Sequence, residues 1–298
     1  MSTTAAEQGL TVLSPPAADQ PERGLLELVI TERDRRSIAS RQFHEGALRV
    51  LRPHYLDTSG QVCFVLVNPG GAYLGADLYV IEVEVEDGAR LLLTTQSATK
   101  IYRTPGSFAE QRMRLVLGDR AQLELAPDQV IAYREASYRQ NTHVTVRPTS
   151  SLIMAEVVTP GWSPDGAAFR YEEVRLRTGI AVDAGEAPQL LALDNLLMVP
   201  SDDDVTGMGF MEGYSHVGSL LVVDRRVDQA LADELHELTR THEAYTGVSL
   251  TATVAGTTGL VLRSLSNSTE ELQHLLQACT TLLRRRWYGQ PPLDLRKY

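Results

Sequence analysis

The chain has 298 residues, 43% of them hydrophobic, and a formal net charge of −10 at pH 7. Such an acidic balance argues against a nucleic-acid partner, which needs a basic face to meet phosphates. No apolar run is long enough to cross a bilayer, and nothing near Met1 joins a basic segment, an apolar core and a small-residue cleavage site. A soluble, cytoplasmic protein with no membrane partner is the expectation.

Residues 1–23 run from Met1-Ser2-Thr3-Thr4-Ala5-Ala6-Glu7 through the Ser14-Pro15-Pro16 cluster. Their composition predicts a flexible N-terminal tail. Residues 24–298 show no compositional break that demands a second domain and are expected to form one. From residue 24 to 223 the dominant period is two. Ile81, Val83 and Val85 alternate with Glu82, Glu84 and Glu86, and Met113, Leu115 and Leu117 alternate with Arg112, Arg114 and Val116. That pattern gives each strand one buried and one wet face. Shorter runs at 26–30, 62–67, 90–94, 123–125, 142–146, 152–158, 169–175 and 220–223 are punctuated by turns such as Asp87-Gly88, Pro105-Gly106 and Pro160-Gly161. A mainly β body of many short strands, stacked or coiled, is predicted, although no repeated motif marks a strict solenoid.

The last quarter changes period. Leu231, Leu235 and Leu238 recur at helical spacing between Asp228 and Tyr245. Residues 249–254 and 259–265 read as a strand pair around Gly256-Thr257-Thr258. Ser268 and Glu271 have the spacing of a capping box ahead of a stripe formed by Leu272, Leu275, Leu276, Cys279, Leu282 and Leu283. Two helices on a β body are expected. Arg284-Arg285-Arg286, with Arg296-Lys297, reads as favourable charge at a helix C-terminus. Cys63 and Cys279 fall on apolar stretches and read as small core residues.

Familiar catalytic motifs fail on inspection. Gly70 and Gly75 are spaced like the start of a phosphate loop, but Ala76-Asp77 stands where Lys-Ser/Thr is required, and a carboxylate there repels phosphate. Gly207-Met208-Gly209 lacks the third glycine of a dinucleotide fingerprint. In Gly213-Tyr214-Ser215-His216-Val217-Gly218 the second glycine comes one place too late for a nucleophile elbow, and adjacent side chains on a strand diverge. His236 and His242 lie six apart, about 120° around a helix, instead of on one face. Asp202-Asp203-Asp204 lacks the alternation and glycine of a calcium loop.

One ordered string is specific. Asn68-Pro69-Gly70-Gly71-Ala72-Tyr73-Leu74-Gly75-Ala76-Asp77 precedes an alternating strand, and Thr94-Thr95-Gln96-Ser97-Ala98-Thr99-Lys100-Ile101-Tyr102-Arg103 follows it. This resembles the signature of the urease accessory protein UreD (UreH) family, a glycine-rich turn ending in Asp and then Thr-Thr-Gln-(small)-Ala-(Ser/Thr)-Lys-x-Tyr-Arg. Leu51-Arg52-Pro53-His54-Tyr55 and the stretch Leu123-Glu124-Leu125-Ala126-Pro127 are similar to flanking family segments. The sequence departs from the family at Asn68, where a second proline is usual, at Ala76, which replaces a glycine, and at Arg134-Glu135-Ala136, which replaces aromatic-x-Gly-Ala. Residues 198–217 diverge most.

The resemblance implies a β-helical body and a non-enzymatic scaffold. It further implies a complex with the accessory proteins UreF and UreG on apo-urease, dimeric within the accessory complex, with no tightly bound cofactor and with transient Ni²⁺ passing through the interior. Carried over by position, the passage residues are Asp77, Thr99, Glu156 and Asp194. Carboxylates suit a transient nickel path, because Ni²⁺ accepts oxygen ligands. Glu156 also stands out unaided, as an acid inside the apolar run 152–158, although a salt bridge or an edge position would account for it equally well. Two other classes stay open: a purely structural assembly subunit that conducts no ion, and a hydrolase built on Ser215 and His216.

Overall fold

The computed structural model describes residues 24–185, 187–202 and 204–295, so the expected tail, Asp203 and the Arg296-Lys297 pair lie outside the described residues. The hairpin β1 (Gly24–Arg33) and β2 (Arg36–Gly46) opens the fold, followed by β3 (Arg49–Val50) and β4 (Val62–Val67). Successive coils then stack. They comprise β5 (Leu78–Val85), β6 (Arg90–Thr95) and β7 (Thr99–Ile101), then β8 (Ala109–Leu117), β9 (Gln122–Ala126) and β10 (Val130–Ala132), then β11 (Ser137–Val146) and β12 (Ser151–Val158). β13 (Glu173–Val182) adds one more strand, and β14 (Gln189–Met198) folds back on it antiparallel. The chain closes through β15 (His216–Asp224), α1 (Gln229–Thr239), the hairpin β16 (Tyr245–Val254) and β17 (Thr257–Ser266), and α2 (Thr269–Tyr288).

Equivalent strands of successive coils pair in parallel, which builds two sheets. One has the order β14-β13-β11-β8-β5-β1-β2, and the other β16-β17-β15-β12-β9-β6-β4-β3, with the short β7 and β10 forming a third face. The period-two residues stack in register between the sheets. Leu28, Val83, Leu115, Val144 and Ile180 form one ladder, and Phe64, Leu93, Leu125, Met154 and Leu221 the facing one. All ten are buried. Burying each such side chain is worth about 1.5–3 kcal/mol, which makes this stack the main source of cohesion. The expected β-helical body is therefore present. No repeat is visible in the sequence because the coil-starting strands begin unevenly, at residues 78, 109, 137 and 173.

α1 and α2 cover the outer face of the larger sheet, where Leu272, Leu275, Leu276 and Cys279 meet Ile153, Val157, Leu220 and Val222. β15 is thus buried on both faces, which explains its unbroken apolar run. Among the described residues no helix lies over the outer face of the seven-stranded sheet, and its strands alternate instead. Both cysteines are buried and neither forms a disulfide, and burial pushes the Cys279 thiol up to about 12.

Several local expectations are corrected. The first helix ends at Thr239, and Tyr245 already belongs to a strand. Ser268 does cap α2, accepting from the Glu271 N–H at 3.3 Å, but the Glu271 carboxylate turns away to His242 Nδ1 at 2.9 Å and the Glu243 N–H at 3.1 Å. The capping box is therefore half made. Arg285 and Arg286 do lie in the last turn of α2 as expected, whereas Arg284 turns inward, buried and bound to Glu124 and Asp57. Of the run 169–175, only the residues from Glu173 onward are strand, because Phe169 sits at φ 55° in a turn. The sequence also conceals β2 and β14, edge strands whose exposed faces blur the alternation.

Candidate functional site

The glycine-rich turn is fixed by its own side chains. Asn68 Oδ1 accepts from the Gly70 N–H at 3.0 Å, and the Gly71 N–H donates to the Asn68 carbonyl at 2.9 Å. This Asx turn does with hydrogen bonds what a second proline would do by ring closure. Gly71 has φ 79°, a conformation natural to glycine. Gly75 is required for a different reason: a Cβ there would stand 2.7 Å from Ser107 Oγ and 3.2 Å from Thr104 Cα of the next coil. Asp77 Oδ2 accepts from the Leu74 N–H at 2.8 Å and the Tyr79 hydroxyl at 3.1 Å, which closes the turn. Tyr73 stacks on Tyr79 with ring centroids 3.8 Å apart.

The second half of the ordered string lies alongside the first. The Tyr73 N–H donates to the Lys100 carbonyl at 2.8 Å, and the Tyr102 N–H to the Tyr73 carbonyl at 2.9 Å. Arg103 pairs with Glu135 at 2.7 Å, and Tyr102 packs edge-on against Tyr133. Two segments separated in sequence thus form adjacent coils around one space. That space is a cavity of about 70 Å³, bounded by Asn68, Gly71, Gln96, Thr99, Lys100, Gln111, Gln140 and Glu156 among others. It has room for a few water molecules. Gly71, Gln96 and Ser97 at its rim are exposed, while Gln111 and Gln140 in its depth are buried.

A directed chain of hydrogen bonds crosses its inner wall. The Tyr73 hydroxyl donates to Gln111 Oε1 at 2.7 Å, Gln111 Nε2 to Gln140 Oε1 at 3.3 Å, and Gln140 Nε2 to Glu156 Oε1. The Tyr138 hydroxyl also donates to Gln140 Oε1, at 3.0 Å. Burial pushes the Glu156 carboxyl up to about 7, and the Asp194 charge adds to this, while the Gln140 hydrogen bond and Arg263 pull the other way. Beside Glu156 in register, Ser219 Oγ accepts from Arg263 Nη1, whose Nη2 donates to Asp194 Oδ1, both at 2.5 Å. Glu156 also borders a second space of about 420 Å³ beneath α2, walled by Asp128, Gln273, His274, Thr280 and Asp294 among others. One carboxylate therefore stands between an inner cavity and an outer cleft.

Of the residues singled out from sequence, Asn68, Gly71, Gln96, Thr99, Lys100 and Glu156 share the cavity wall. Asp77 sits in the turn behind it, and Asp194 lies beyond Glu156, paired with Arg263. Gln111, Gln140 and Tyr138 were missed. Their signal was available: each has the parity of buried strand neighbours such as Met113 and Val144, and a glutamine at such a position needs an internal partner.

Ser215 precedes β15 instead of lying in it, so its side chain and that of His216 do not diverge: Ser215 Oγ is 2.8 Å from His216 Nδ1. Among the described residues no carboxylate orients the imidazole, and Ser215 Oγ also bonds Asn267 Oδ1 at 3.2 Å. His242 lies beyond the end of α1, away from any shared face with His236. Among the described residues no three His, Cys, Asp or Glu side chains gather into a set able to hold a metal ion.

What fold and site define is a β-helical scaffold whose interior cavity is walled by apolar side chains with a few polar groups set among them. The sequence profile of the family described as "UreD urease accessory protein" matches residues 22–297. A protein named urease accessory protein UreD from Arthrobacter sp. (strain FB24) is 72% identical over 298 residues, covering all of both chains. One of the same name from Paenarthrobacter aurescens (strain TC1) is 71% identical, covering 93% of this chain and 95% of its own. A Bacillus cereus protein of that name is 32% identical over 92% of this chain and 98% of its own. The chain belongs to the UreD family of urease accessory proteins.

Proposed function

We propose that this chain is a non-enzymatic scaffold in urease maturation, which with UreF and UreG delivers nickel to apo-urease and is dimeric within that complex. Nickel is its cargo, held transiently, and no cofactor is tightly bound. The observation that carries this reading is the convergence of the family's ordered string and Glu156 on one interior cavity. Isolated oxygen donors such as Glu156 and Thr99 bind a borderline cation weakly enough to release it, whereas a His/Cys cage would retain it. Asp77 shapes the mouth, and Asp194 with Arg263 sets the potential behind Glu156.

The test is a reconstituted activation with apo-urease, UreF, UreG, GTP and nickel, comparing Glu156→Ala, Asp77→Ala and the double variant. The expected result is an intact accessory complex, normal GTP hydrolysis and less nickel in urease, lowest in the double variant. Wild-type loading by both single variants and by the double would remove the passage role. Loss of the complex itself would make the acids structural, as in a pure assembly subunit.

A further inference from the structure

The outward-facing residues of β8, β11, β13 and β14 form three rows across the outer face of the seven-stranded sheet, which no other described element covers. In register they read Arg114, His143, Gly179, Leu193; then Arg112, Asn141, Arg177, Asn195; then Glu110, Arg139, Arg175, Leu197. Five arginines thus meet three nearby glutamates, Glu110, Glu173 and, at the β5 edge of the face, Glu82, in a chain whose net charge is −10. Two of these glutamates are already bound: Glu110 to Arg112 at 2.7 and 2.8 Å, and Glu173 to Arg139 at 2.9 and 3.0 Å. Arg114, Arg175 and Arg177 have no ion-pair partner among the described residues, although Glu82 is the register neighbour of Arg114. Arg175 stands directly opposite Arg139, a like-charge pairing that weakens a sheet, and its Nε is shielded from water with no acceptor. Burial, and then the Arg177 charge, hold the His143 imidazole below its usual value, so the positive potential is felt locally.

The face also has relief and an apolar border. A Cβ at Gly179 would meet nothing within 4 Å, which leaves a pit among the arginines. Leu193, opposite Gly179, and Leu197, opposite Arg175, are 52% and 41% exposed. We propose that this face is a docking surface for a partner protein that presents clustered carboxylates beside an apolar spot. Carboxylates would complete the unpaired guanidiniums in forked hydrogen bonds, and the leucines would bury against the apolar rim. Leucines in that border fit a protein surface better than a phosphate backbone does.

The inference rests on the accessory-scaffold reading for its choice of partners. Binding of purified UreF, UreG and urease apoprotein, each alone and in combination, would be measured at low and high salt. Gly179→Glu is the decisive variant, because the pit admits a side chain and the new carboxylate would occupy the arginines internally. It should fold with an unchanged or higher Tm, yet bind one partner about tenfold more weakly. Arg114→Glu with Arg177→Glu should do the same, and Arg114→Lys with Arg177→Lys should retain most of the affinity. Salt should weaken the wild-type interaction and have less effect on the reversed pair. Unchanged binding of all partners by Gly179→Glu and by the charge-reversed pair would overturn the docking surface while leaving the scaffold reading intact. Failure of the wild-type chain to bind any of the three would sink the scaffold reading and this surface together.

Discussion

Gln140 donates its side-chain amide to Glu156 inside the body, between β11 of one sheet and β12 of the other. Glu156 is half-buried and borders both cavities. Its carboxyl is raised to about 7 from an ordinary value of 4.5. Between those values the folded chain holds a proton that the unfolded chain has released. The contribution to stability is therefore full below about 4.5 and is lost as pH rises through about 7. Glu156→Gln keeps the shape and removes the titration. It should be more stable than wild type at mildly alkaline pH, by roughly 1–3 kcal/mol, and should flatten the pH dependence across that window. Urea titrations at several pH values read this directly, and parallel curves for both proteins would refute it.

Two departures from the family pattern fall on left-handed backbone. Ala76, at the position of a glycine in the family signature it resembles, has φ 65°, and Glu135, in the aromatic-x-Gly-Ala position, has φ 62°. A Cβ in that region costs about 1–2 kcal/mol. Ala76→Gly should accordingly raise the thermal midpoint by a few degrees. Glu135→Gly should gain less, since it forfeits ion pairs with Arg103 at 2.7 Å and Arg134 at 3.4 Å. A lower midpoint for Ala76→Gly would contradict the strain.

Gly161 and Gly166 have similar φ values, 83° and 74°, but different surroundings. A Cβ on Gly161 would lie 2.2 Å from the Ala132 carbonyl, whereas nothing stands within 4 Å of one on Gly166. Alanine at 166 should cost about 1 kcal/mol, the backbone penalty alone. Alanine at 161 should cost several times that, because neighbouring coils must part. Equal losses in chemical denaturation would show that the coil spacing is softer than the geometry requires.

Arg284 is buried near the end of α2. Its Nη1 donates to both Glu124 oxygens at 2.6 and 2.7 Å, its Nη2 to Asp57 at 2.9 Å, and its Nε to the Pro291 carbonyl at 3.1 Å. Removing one member of such a group strands the others without a partner. Arg284→Met should lose about 3–5 kcal/mol, and adding Glu124→Leu should restore part of it. A double variant as unstable as the sum of the two single losses would deny the coupling.

The body was legible because its strands alternate. The parity of Val83, Leu115 and Val144 predicts which face each strand buries, and the structure stacks those residues in register. Edge strands were not legible, since β2 is mostly exposed and β14 turns Leu193 and Leu197 outward. At the cavity, the ordered string marked its own residues, and Glu156 was visible as an acid in an apolar run. Parity marks Gln111 and Gln140 as buried, but which partners they and Arg263 meet was harder to foresee. Their roles depend on which strands face each other across the core, a relationship that links residues far apart in the chain and leaves no local spacing to read.

Because α2 is the lid over β12, β15 and β17, the larger sheet cannot be sealed when its strands first assemble. The Glu124 carboxylate must wait for a guanidinium 160 residues further along the chain. During synthesis, Ile153, Leu220 and Leu262 therefore form an open greasy wall until the segment Thr269–Tyr288 has emerged. Closing so long a loop is slow compared with local coil stacking. The half-built protein is exposed to self-association over that interval, and truncation within α2 is the kind of damage most apt to send it into aggregates.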